Sequence, residues 1–130
     1  MKEIFIKSFD SLKLSLAIYE AKKPKAVIQV IHGMCEHKER YDEMAKYLQK
    51  KNYTVVLSDN RGHGKSILSS DDFGYFGNSN GTKALVEDQK KVNDYIKKHG
   101  KPPKKVRLYH LIDKNKYSTY EEAQVIHIKM

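Results

Sequence analysis

The sequence predicts an α/β fold in which an N-terminal antiparallel hairpin leads into a mostly parallel sheet flanked by helices. Three observations carry this. The run AVIQVI, Ala26 to Ile31, is nearly continuous in apolar residues, as a strand covered on both faces must be. The stretch EHKERYDEMAKYLQKKN that follows sets Tyr41, Met44, Ala45 and Leu48 at i, i+3, i+4 and i+7, one stripe of a helix. Tyr53 to Asp59, YTVVLSD, is a second β-rich apolar run, and strand, helix, strand with short links makes a right-handed parallel βαβ unit.

Taken in chain order, the first elements are two strands. In KEIFIKS, Ile4 and Ile6 point one way; in LKLSLAIY, Leu12, Leu14, Leu16 and Ile18 alternate with Lys13, Ser15, Ala17 and Tyr19, which reads as a half-exposed strand. The turn-like FDS between them makes an antiparallel hairpin. AKKPK is a polar connection closed by Pro24. After the βαβ unit comes NRGHGKSILSSDDFGYFGNSNG, a Gly- and Ser-rich connection of a length that usually carries function. A second helix, TKALVEDQKKVNDYIKKHG, gathers Leu85, Val92, Tyr95 and Ile96 on one side and stops at Gly100 and Pro102. KKVRLYHLI alternates Val106, Leu108, His110 and Ile112 and is expected to be a third parallel strand. Residues 1–112 therefore read as one unit, and 113–130 as a divergent tail. In that tail Ile126, Ile128 and Met130 alternate as in a strand, with no packing partner visible from sequence.

Composition narrows the function classes. The 130 residues are 39% hydrophobic, which favours a globular domain over disorder. Lys and Arg number 25 against 16 acidic residues, a net charge of +9 that favours anionic partners. The lysines are scattered over the polar faces of the predicted helices, and no recognition motif accompanies them, so no nucleic-acid partner is expected. A single cysteine, Cys35, excludes an internal disulfide and fits a reducing compartment. No apolar run approaches the roughly 20 residues of a membrane span, and the N-terminus lacks a cleavable leader pattern. A cytoplasmic protein is expected.

The apolar run at Ala26 to Ile31 breaks at His32-Gly33-Met34, where a parallel strand ends and a helix is about to begin. Ligands of open α/β sheets collect at the carboxyl ends of strands. Gly33 lets the chain turn sharply, and the amides after it are free of the sheet and can face a developing negative charge. From the tripeptide alone, a plain strand-to-helix turn is the favoured explanation of the glycine.

The wider context resembles the α/β-hydrolase proteins of the monoacylglycerol lipase and lysophospholipase type, the serine aminopeptidase S33-like group. Those proteins carry His-Gly-Met or His-Gly-Ala, then Glu-His and Arg-Tyr, then Asp-x-Arg-Gly-His-Gly-x-Ser. Here the same pattern reads His32-Gly33-Met34, Glu36-His37, Arg40-Tyr41 and Asp59-Asn60-Arg61-Gly62-His63-Gly64-Lys65-Ser66. The similarity covers residues 3–103 and extends to the helix that the family places before its nucleophile strand. It implies a partial α/β-hydrolase fold and serine-dependent hydrolysis of carboxylic esters, with acylglycerol or lysophospholipid-like substrates and no cofactor. The Met34 backbone N–H would be an oxyanion donor, with His32 and Gly33 shaping its turn. The loop of Asp59, Arg61, Gly62, His63, Gly64 and Ser66 would brace the sheet's carboxyl edge.

The chain departs from that pattern where the family places Gly-His-Ser-Met-Gly. The corresponding VRLYHLIDKNK sets Tyr109, His110, Leu111, Ile112 and Asp113 at those five positions. Leu111 has no hydroxyl to attack a carbonyl, and Asp113 crowds a turn that wants glycine. No catalytic serine, general base or acid is identifiable. The expectation is the N-terminal half of a hydrolase, truncated or altered in frame, and inactive by itself. GNSNG, Gly77 to Gly81, matches G-x-S-x-G, but the loop-like DDFGYF before it is not the buried strand that must feed a nucleophile elbow, so Ser79 is read as part of the connection. His32, His37 and His63 could converge at the strand ends, yet no metal-ligand spacing supports a site. Cys35 sits one residue past Met34 and is read as buried or inert, no histidine partner being placed by sequence. Two other functions stay open at this point: half of a split esterase, and a non-catalytic basic binding module. Incomplete sheet edges also predict self-association.

Overall fold

The computed structural model describes residues 1–77, 80–99, 107–111 and 125–129. The strands are β1 (Lys2–Lys7), β2 (Lys13–Tyr19), β3 (Ala26–Ile31), β4 (Tyr53–Ser58), β5 (Arg107–Leu111) and β6 (Val125–Lys129), and the helices α1 (Asp42–Lys50) and α2 (Gly81–His99). They form one sheet in the order β1-β2-β4-β3-β6-β5. The expected parallel βαβ unit is its centre: β3 pairs β4 from Ala26↔Tyr53 to Ile31↔Ser58. Because Ile31 and Ser58 lie side by side, the segments that leave the two strands start at neighbouring points on one edge of the sheet. The N-terminal hairpin continues the sheet antiparallel on one side, through β2 and β4.

Each face of the sheet has its own apolar layer. Leu14, Leu16, Val27 and Val56 pack with Val92 and Ile96 of α2. Ala17, Tyr19, Ile28, Val30, Val55 and Leu57 pack with Ala45 of α1, and Tyr41, Met44 and Leu48 complete the stripe that the helical periodicity predicts. Covering both faces corrects the expectation that β2 is half exposed. Ser15, Ala17 and Tyr19 are buried as well as Leu14 and Leu16. The Ser15 amide donates to Ser66 Oγ at 2.9 Å and its carbonyl accepts from the Asp59 amide at 3.0 Å, so the loop after β4 continues the pairing along β2.

Two further expectations change at the C-terminal side. β5 runs in the direction of β3 but is not its neighbour. β6 lies between them and pairs antiparallel with both, Val30↔Val125 and Leu111↔Val125. The tail thus contributes the strand that takes β3's open edge, a partner its alternation did not reveal. Val106, Ile112, Asp113 and Met130 lie outside the described residues.

The buried stripe of α2 is Ala84, Asp88, Val92 and Ile96, with an acid where apolar periodicity predicts none. Its partner explains it. The guanidinium of Arg61 reaches Asp88 with Nε to Oδ2 at 2.6 Å and Nη2 to Oδ1 at 2.9 Å. It also reaches Asp10 in the hairpin turn through Nη1 at 2.9 Å and Nη2 at 3.2 Å. Ser8 donates its hydroxyl to the same Asp88 carboxylate. Paired carboxylates satisfy a planar fork in two dimensions, so hairpin, long loop and helix are locked at one point. Asp88, then Asp10, hold the Arg61 guanidinium above its ordinary value against the opposing effect of burial. Asp88→Ala would leave that cation buried with the half-exposed Asp10 as its one carboxylate among the described residues. It is expected to cost roughly 3–4 kcal/mol of folding stability, measured by urea denaturation, since removing one partner of a buried pair strands the other.

Candidate functional site

At the carboxyl ends of β3 and β4 the two outgoing segments are tied to each other. Asp59, directly after β4, is fully buried. Its Oδ1 accepts the Lys38 amide at 2.7 Å, and its Oδ2 accepts the Lys65 amide at 3.0 Å and Lys38 Nζ at 2.8 Å. Lys38 is itself buried and reaches Glu39 at 2.7 Å and Glu3 at 3.5 Å. Burial pushes the Lys38 ammonium down, but Asp59 and Glu39 outweigh it and leave it above its ordinary value. Gly64 shows why this corner takes no side chain: its φ is +52°, and a Cβ there would stand 2.3 Å from the Asp59 carboxyl carbon. Gly62, at φ +72°, likewise admits the Tyr75 backbone, 2.7 Å from where its Cβ would be.

Two histidines cross-link the segments in opposite directions. His32 Nε2 accepts the Asn60 amide at 3.0 Å, and His32 Nδ1 donates to the Gly33 carbonyl at 2.7 Å. His63 Nε2 accepts the Cys35 amide at 3.3 Å, and His63 Nδ1 donates to the Arg61 carbonyl at 3.1 Å. In both rings the proton therefore sits on Nδ1 and the lone pair on Nε2, assigned from the partners. The rings lie 5.3 Å apart. Asn60 adds a bond from Nδ2 to the His32 carbonyl at 2.9 Å and is held in turn by Gln89 of α2 at 2.8 Å.

These ties bracket an uncommitted backbone donor. The Gly33 amide donates to Glu36 Oε2 at 3.0 Å, and the Cys35 amide is taken by His63. That Glu36 carboxylate also accepts the Tyr41 hydroxyl at 2.9 Å; the Gly33 amide holds it below the usual carboxylate range, and burial acts the other way. Between the two committed amides, the Met34 N–H makes no hydrogen bond among the described residues. The Met34 side chain is exposed, and Cys35 follows with φ +59° and an exposed thiol. An uncommitted amide held at both neighbours is a fixed dipole that can meet an oxyanion without reorganising.

The other candidate residues fall into place around it. Ser66 Oγ donates to the Asp59 carbonyl at 2.8 Å while accepting from Ser15, so its hydroxyl is committed to the sheet. His37 stays outside, exposed and beside Glu39 at 3.0 Å, so the three histidines do not converge. Among the described residues no group of three His, Cys, Asp or Glu could hold a metal ion, and no serine hydroxyl bonds a histidine. Ser79 lies outside the described residues. Leu111 ends β5 level with Val30 across the sheet, two strand spacings from β3, or roughly 9–10 Å. A cleft of about 230 Å³ lies on the other side of the long loop, lined by Leu12, Arg61, Ile67, Leu68, Tyr75 and Phe76, and does not include the His32–Cys35 turn.

Sequence reasoning missed Lys38, Asn60, Glu36's grip on the Gly33 amide, and Asp88. Lys38 carried the least signal, since lysine between Glu36 and Glu39 reads as surface. Glu36 carried one: it stands three residues after Gly33, within reach of its amide.

Burial, against the weaker pull of the Gly33 carbonyl and then of Asp59 and Glu36, holds the His32 imidazole below its ordinary value of 6.5. The folded state therefore binds fewer protons at His32 than the unfolded chain. The stability it contributes is fully present above about pH 6.5 and is lost as pH falls through the folded value. The urea midpoint is expected to drop on acidification below pH 6.5, and His32→Gln to flatten that part of the profile.

The comparisons with known proteins agree with this fold. A family model described as serine aminopeptidase, S33, matches residues 22–109. Monoglyceride lipase of Rattus norvegicus is 49% identical over 43 residues, 33% of this chain and 14% of the lipase. A monoglyceride lipase homolog of Monkeypox virus is 39% identical over 56 residues, 41% of this chain and 20% of that protein. A thermostable carboxyl esterase from Bacillus coagulans superposes with a TM-score of 0.64 at 27% identity, over 78% of this chain and 34% of the esterase. The chain thus spans about a third or less of each of these three proteins. Among the described residues no helix is long and apolar enough to cross a membrane. With a βαβ centre, a tied His-Gly-Met turn and a family match over most of its length, this chain belongs to the serine aminopeptidase S33 family of α/β-hydrolases.

Proposed function

We propose that this chain carries the oxyanion-donor half of a serine carboxylic ester hydrolase of the monoacylglycerol lipase and lysophospholipase type, without the nucleophile, and that it does not turn over esters by itself. The observation that carries this reading is the Met34 amide, uncommitted between the tied amides of Gly33 and Cys35. An acyl ester attacked at its carbonyl carbon develops an oxyanion, and one aimed backbone N–H is worth about 3–4 kcal/mol to such a transition state. His32 and Gly33 shape the turn, and the loop of Asp59, Arg61, Gly62, His63, Gly64 and Ser66 supports it from below.

Distance as well as residue type supports the absence of a nucleophile at Leu111. A reacting carbonyl must lie about 3 Å from both nucleophile and oxyanion donor. Leu111 has no hydroxyl, and its strand stands beyond β6. An oxyanion donor without nucleophile and base leaves only residual catalysis. The lone exposed thiol of Cys35 supports a reducing compartment such as the cytoplasm. Matches to monoglyceride lipases support a glycerol ester as the substrate class of the whole enzyme.

Treatment of the folded chain with a fluorophosphonate probe is expected to label no serine stoichiometrically, and p-nitrophenyl butyrate to hydrolyse at the buffer rate. Stoichiometric labelling of one serine, Ser79 included, together with turnover that its alanine variant abolishes, would overturn the reading.

A further inference from the structure

We propose that the outer edge of β1 takes a second copy of this chain, pairing antiparallel about a two-fold axis at Phe5. β1 is the terminal strand of the sheet, and among the described residues no backbone bond leaves its outer side. An open edge offers a row of amides and carbonyls to another strand. In a symmetric antiparallel pair the axis stands perpendicular to the sheet, so each face of one copy continues the same face of the other. That condition admits two registers that pair five residues of β1. Centred on Ile4, Glu3 faces Phe5 and Lys2 faces Ile6. Centred on Phe5, Glu3 faces Lys7 twice, Ile4 faces Ile6 twice, and Phe5 faces itself.

The second register is the complementary one. Lys7 has no ion-pair partner among the described residues. Glu3 uses Oε1 for Lys65 at 2.7 Å, Ser15 at 3.3 Å and Lys38 at 3.5 Å, while Oε2 has no partner among them and remains for Lys7 of the other copy. Ile4 and Ile6 already pack against the α2-side core and would extend it across the junction. Phe5, 53% exposed, would be covered by its own symmetry mate. The opposite edge offers no such match: β5, RLYHL, carries Arg107 and no acid.

The test uses a Cys35→Ser chain, which removes the native thiol, with one cysteine added. Phe5→Cys sits on the axis and is expected to oxidise to a covalent dimer about tenfold faster than Lys7→Cys, whose equivalents lie apart in this register. Adding Lys7→Glu to the Phe5→Cys chain sets acid against Glu3 and is expected to slow dimerisation severalfold. Sedimentation velocity of the unaltered chain is expected to show a concentration-dependent dimer. Equal oxidation of Phe5→Cys and Lys7→Cys, indifference to Lys7→Glu, or a monomer at every concentration would overturn the proposal.

Discussion

Burying the Asp59 carboxylate at the end of β4 sets the terms for everything around it. A charge taken fully out of water must be matched by donors at close range. Asp59 finds them in the Lys38 amide and ammonium from one segment and in the Lys65 amide from its own loop. Gly64 must lack a side chain for the carboxylate to sit there at all. The parallel pairing of β3 and β4 ends level at Ile31 and Ser58, so these partners are within reach without any long excursion of the chain.

With that corner fixed, finer ties become possible. His32 and His63 each use Nε2 to accept an amide from the opposite segment, and each is oriented by Nδ1 donating to a nearby carbonyl. Glu36 takes the Gly33 amide. The turn thus spends most of its polar groups on holding itself, and among the described residues the Met34 amide between Gly33 and Cys35 is left without an acceptor. Farther out, Arg61 fastens the loop to α2 and to the hairpin through Asp88 and Asp10.

Much of this was legible in the sequence, and the reasons are local. The stripe of Tyr41, Met44, Ala45 and Leu48 and the continuous apolar run of β3 are patterns of neighbouring residues, and both elements form as their patterns require. The His-Gly-Met turn and the Asp59–Ser66 loop were visible as motifs, together with their family. What was not legible depends on residues far apart in the chain. Asp88 belongs in a buried stripe only because Arg61, 27 positions earlier, is aimed at it. Gln29 interrupts an apolar strand because Gln89 and Asn93 of α2 meet it. The alternation of Ile126 and Ile128 announced a strand but not that β3 would be its partner. The tail therefore stands where a third parallel strand was expected.

The central claim is that the turn after β3 commits the amides of Gly33 and Cys35 and leaves that of Met34 open. Residue-resolved amide hydrogen exchange of the folded chain measures this directly. The account predicts that Met34 exchanges near the rate of an unstructured peptide while Gly33 and Cys35 are slowed by their bonds to Glu36 and His63. A Met34 amide protected as strongly as its two neighbours would contradict it.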